Sequence, residues 1–148
     1  MVKVPEKIFF IICIIMILLC IFVSCDDVDR HEYLKMGQEV IVAVNLNDEE
    51  AFCSLVELED SDIPVSNQFA LYKNMLADFD YFRLSLVSFS SSEKDGVTIC
   101  EGTFGLYTKN GNYIVTASHR SDIDKFTLFD IEPDTNNQLP EMDNLPWN

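Results

Sequence analysis

The chain has 148 residues, with 25 Asp and Glu against 10 Lys and Arg and a net charge of −15. That length supports one domain with one core. The charge repels nucleic acid and anionic lipid headgroups and attracts basic proteins, so nucleic-acid binding and electrostatic adhesion to a membrane are excluded.

The first elements concern location. Lys3 and Lys7 precede a polar-free run from Ile8 to Val23. As a helix this run would reach about 24 Å, short of a hydrocarbon core of ~30 Å, and it slightly exceeds an ordinary secretory signal. Residues 1–24 therefore read as a targeting segment. "CIFVSCDD" follows, with Ser24 directly before Cys25. This resembles the lipobox of bacterial lipoproteins, which implies cleavage before Cys25 and lipid attachment to its thiol. By the same resemblance, Asp26 after the modified cysteine implies retention at the inner membrane. An uncleaved anchor helix and an ordinary cleaved signal are the alternatives, and all three place the rest of the chain outside the cytoplasm. Residues 25–32 then form the lipidated cysteine and a short polar tether.

The domain is expected over 33–131. "EVIVAVN" (39–45) and "AFCSLVELE" (51–59) read as two strands of a hairpin, with a polar break at 47–50. After a loop, Phe69, Tyr72, Met75, Leu76 and Phe79 fall at helical spacing, with Ser66 or Asn67 available as a cap, and favour one short helix, with an irregular strand as the alternative. "YFRLSLVSF" (81–89) alternates as a strand, "SSSEKDG" is a turn-rich break, and "VTICEG" (97–102) is a short strand. Asn110-Gly111 suits a two-residue type I′ turn, which would set Thr108 opposite Tyr113 and Leu106 opposite Val115. "KFTLFDI" (125–131) closes the series. Residues 132–148, acidic and with three prolines, read as a disordered tail. About seven short strands in some 100 ordered residues predict an all-β fold, an immunoglobulin-like β-sandwich, with a small β-barrel as runner-up.

With Cys13 and Cys20 in the apolar run and Cys25 carrying lipid, Cys53 and Cys100 remain. In an oxidising compartment they predict a disulfide worth about 4 kcal/mol; two buried thiols are the alternative. His31 and His119 have no neighbouring ligands and read as solvated. The Asp60/Asp62, Asp78/Asp80 and Asp122/Asp124 pairs lack the rest of a calcium loop, and no G-x-S-x-G elbow exists. No catalytic residue, metal site or cofactor is therefore expected. "DFDYF" alternates acids and aromatics. Asp78, Phe79, Asp80 and Tyr81 make the candidate partner surface, unless the aromatics turn into the core.

This layout, a lipoprotein signal before a small β domain with "AFC", "TICEG" and "NYIVTAS", resembles the small periplasmic lipoproteins of Gram-negative bacteria described as type VI secretion immunity proteins. The resemblance implies a non-enzymatic inhibitor that binds a basic toxin arriving in the periplasm. A structural or assembly lipoprotein bound to another envelope component is the alternative.

Overall fold

The computed structural model describes residues 29–59, 62–76 and 81–141. The targeting segment, Cys25, Asp78, Phe79 and Asp80 lie outside these residues. The chain divides into two units, Met1–Glu32 and Tyr33–Asn148, and the packing below belongs to the second. The described residues form three helices and one open four-stranded antiparallel sheet. The expected seven-stranded sandwich is replaced by a layer of helices on a single sheet.

The first correction concerns "EVIVAVN", which lies in helix α1 (29–45). Over the longer window Tyr33, Gly37, Val40, Ile41 and Val44 recur on one helical face, and all but the glycine are buried apolar side chains of the core. The short valine-rich window hides this 3.6-residue period. Helix α1 ends at Asn47, in left-handed conformation at φ 59°. The Asn47 N–H bonds to Val44 O and the Asp48 N–H to Ala43 O, the paired bonds of a Schellman cap. Asp48 then caps helix α2 (Glu49–Leu55), its carboxylate accepting from the Ala51 N–H at 3.0 Å. The polar break is thus a corner between two helices, and "AFCSL" is helical. Only its continuation is extended: Val56 bridges Phe126 in parallel, and the Glu57 and Glu59 N–H groups bond to Phe126 O and Thr127 O. Helix α3 (Val65–Met75) supplies the expected short helix, displaced toward the N-terminus, with Pro64 at its cap position and Phe69 and Tyr72 buried.

Strands β1 (Phe82–Lys94), β2 (Val97–Thr108), β3 (Gly111–Arg120) and β4 (Lys125–Pro133) pair in sequence order. The "SSSEK" stretch continues β1, and Asp95-Gly96 turns the chain with φ 54° and 78°, as a type I′ turn requires. The next turn is Lys109-Asn110, so Thr108 pairs Gly111 and Leu106 pairs Tyr113. The Thr108 hydroxyl stabilises it, accepting from the Asn110 N–H and donating to Gly111 O. This register differs by two residues from the expected one. A slip of two leaves every side chain on its expected face.

The core lies between helices and sheet. Phe104, Leu106, Val115, Phe126, Phe129 and Ile131 meet Tyr33, Val40, Ile41, Val44, Phe52, Phe69 and Tyr72. A bulge between Leu86 and Ser88 shifts the alternation of β1, so that Phe89 returns to the core face and packs on Tyr33 at 5.3 Å. The Tyr33 ring stacks on Phe104 at 5.0 Å, and its hydroxyl donates to Ala117 O at 2.6 Å. The Tyr72 hydroxyl likewise reaches Phe129 O at 2.6 Å. Two tyrosines thereby fasten helices to strands by both their rings and their polar tips.

The described residues after β4 make hydrogen bonds among themselves and to β2. The Asp134 carboxylate accepts from the Gln138 and Leu139 N–H groups, and the Tyr107 hydroxyl donates to Pro140 O at 3.0 Å. These bonds hold the strap across one end of the sheet.

Candidate binding surface

Strand alternation sorts the sheet into two faces. Cys100, Gly102, Phe104 and Leu106 of β2 face the helices, so Glu101, Thr103, Gly105 and Tyr107 face away. Cross-strand pairing adds Ser88 and Ser90 from β1, Thr116 and Ser118 from β3 and Leu128 from β4 to that outward face. Ser88, Ser90, Glu101, Thr103, Thr116, Ser118 and Leu128, with backbone between them, line an open groove of about 320 Å³. Its walls offer hydroxyls that can donate or accept, one carboxylate and one partly exposed leucine. Such a shallow polar surface suits an extended chain better than an enclosed small molecule.

Two further features flank the groove. Beside it runs β1, thirteen residues long and at the edge of the sheet. The opposite edge is partly covered, since residues 56–59 run alongside β4. From Ser88 to Lys94, no described strand pairs with the outer side of β1. An edge of this length exposes backbone N–H and C=O groups at alternate residues. Charge marks the surface as well: Arg120 is engaged by Glu59 and Asp122, whereas no described cation lies within ion-pair distance of Glu101. The Asp122 carboxyl is held below its ordinary value by the Arg120 hydrogen bond, so it stays ionised at neutral pH.

The expected site residues scatter. Tyr81 is 76% exposed immediately before β1, but its companions Asp78, Phe79 and Asp80 fall outside the described residues. Phe82 packs partly against the core. Cys53 and Cys100 are not bridged. Cys53 sits on helix α2 rather than on a strand of a sandwich, and the Cys100 thiol lies 3.8 Å from the Ser91 hydroxyl on the neighbouring strand. Burial, then the nearby Glu49, push the Cys53 thiol pKa up, which keeps it a poor nucleophile at neutral pH. His31 is exposed as expected. His119 is not: it is buried edge-on against Phe126, with Nε2 at 3.4 Å from an Asp124 carboxylate oxygen. Unbroken alternation along β3 from Val115 and Ala117 places it on the core face, opposite Cys100 of β2. Among the described residues no group of His, Cys, Asp and Glu is arranged to hold a metal ion, and no helix is long and apolar enough to cross a membrane.

The groove residues were missed, although they carry a signal. Ser88/Ser90, Glu101/Thr103 and Thr116/Ser118 are polar residues two apart, the mark of a strand's wet face. Only the pairing of β1 with β2 and of β2 with β3 brings them together. Comparisons with family models, curated proteins and solved structures gave no match.

Proposed function

We propose that this chain is a membrane-tethered, extracytoplasmic binding protein that acts by occupying a partner's surface, as an immunity protein against a secreted toxin would. The observation that carries this reading is the long, open β1 edge lying beside a polar groove. Edges of that kind are ordinarily short or blocked, because they recruit other chains. A retained one is suited to a partner that adds a strand. The charge of −15 sets the sign of that partner: a basic protein is drawn in and steered, while acidic ones are repelled. Lipid on Cys25 would keep the domain in the compartment where a delivered toxin arrives, with Asp26 favouring the inner membrane. No residue is assigned a catalytic role, and no cofactor is required.

The partner to try first is the product of the adjacent gene, exported to the periplasm of a Gram-negative host. The expected result is arrested growth that co-expression of this chain relieves. A harmless neighbour, or toxicity that this chain leaves unchanged, contradicts the immunity reading. A stable complex with an envelope assembly component in place of a toxin would assign the structural alternative.

A further inference from the structure

We infer that the partner docks as an extended basic segment along β1 between Ser88 and Ser92, with a lysine or arginine lying across the groove to meet Glu101. This interface rests on the binding reading above and names its chemistry. The added segment would pair with the outer backbone groups of β1 as a fifth strand. Its residues on the outward side would then stand in line with Ser88 and Ser90.

In the sheet Ser90 pairs with Glu101 of β2, and Glu101 in turn pairs with Ser118 of β3. Neighbouring strands lie about 4.8 Å apart, so a fifth strand would run about 10 Å from β2. A lysine or arginine spans most of that distance and the glutamate side chain spans the rest. Both serines are too short to obstruct it, and Glu101, exposed on the surface, has no described cation beside it. The hydroxyls of Ser90, Thr103 and Ser118 can accept further N–H donors from the same head group.

The alternating pattern on this face therefore selects positive charge at one point and tolerates small polar or β-branched residues around it. Lys94, at the hairpin end of β1, marks where a basic segment must stop. A second copy of this chain is the wrong occupant, because two bodies of charge −15 repel each other.

The test uses the full chain, ¹⁵N-labelled in a neutral detergent micelle, with a short capped peptide alternating lysine and threonine as the probe. Binding should slow amide exchange from Ser88 to Ser92 and shift the Glu101 resonance. Glu101→Gln should weaken binding about three- to fivefold, the scale of one exposed ion pair. Ser90→Lys, which blocks the crossing with like charge, should weaken it about tenfold or more. Both substitutions are at exposed positions, and unchanged amide spectra elsewhere would establish that the fold is intact. Equal binding of a glutamate–threonine peptide, protection confined to another surface, no binding at millimolar peptide, or a β1-mediated dimer without peptide would each overturn the inference. The growth assay is independent. Relief of toxicity that survives Glu101→Gln and Ser90→Lys removes this interface but leaves the immunity role standing. Peptide binding without relief of toxicity leaves the interface and removes the role.

Discussion

Single residues decide how closely helices approach the sheet. A Cβ on Gly102 would lie 2.6 Å from Ser88 O and 3.0 Å from the Tyr33 ring. Neither neighbour can yield: the first is ladder backbone, and the second is stacked on Phe104 and bonded to Ala117. Gly102→Ala should therefore destabilise the domain by about 1–3 kcal/mol in urea titration, the range found for overpacked cores. A neutral or stabilising result would mean that α1 does not rest on β2 there. The requirement for glycine at 102 was not legible in "TICEG", because it comes from Ser88 O at the bulge of the neighbouring strand and from Tyr33, 69 positions earlier in the chain. Cysteine reading failed for a related reason. Count and compartment suggest a Cys53–Cys100 bridge, yet a disulfide depends on where two Cβ atoms point, and Cys53 points from a helix.

At the level of elements, the strands from Phe82 onward were readable and helices α1 and α2 were not. From Tyr81 onward every expected strand lies in the sheet, because a sheet with one wet face writes period-two alternation into its sequence. The helices were harder. Val40, Ile41 and Val44 have high β-propensity, and burial against the sheet overrides it. What could have revealed α1 and α2 is the corner between them: Asn47 at a helix end, then Asp48 followed by Glu49 and Glu50 at a helix start. Asp48→Ala removes the side-chain acceptor of the Ala51 N–H and should cost about 1 kcal/mol, while Asp48→Asn should restore most of it. If both variants unfold at the wild-type midpoint, the corner is held by packing of Phe52 alone. The groove was unreadable at this scale, since its residues come from four strands whose register no single strand specifies.

For the whole molecule, buried tyrosines set the alkaline limit. Burial pushes the Tyr72 pKa up to about 12 and that of Tyr33 well above its usual range. An unfolded tyrosine ionises near pH 10, so the folded state holds protons that the unfolded state has lost. The stabilisation is fully present below about pH 10 and is lost as pH rises through the folded values. Each tyrosine should contribute a fall of up to about 1.4 kcal/mol per pH unit in that window. Urea midpoints between pH 9 and 12 check this; Tyr72→Phe should flatten the decline, and an unchanged slope would contradict the assignment.

The outward face, its charge and its open edge acquire a role only if the domain is presented outside a cytoplasmic membrane, and that depends on Cys25. The decisive measurement is the intact mass of the membrane-associated protein from a Gram-negative host, for the wild type and for Cys25→Ser. Loss of residues 1–24 with added acyl chains, seen in the wild type and absent from the variant, is the predicted result. An unprocessed, unacylated wild type would instead make Ile8–Val23 an anchor helix, and the lipoprotein immunity reading would lose its main support.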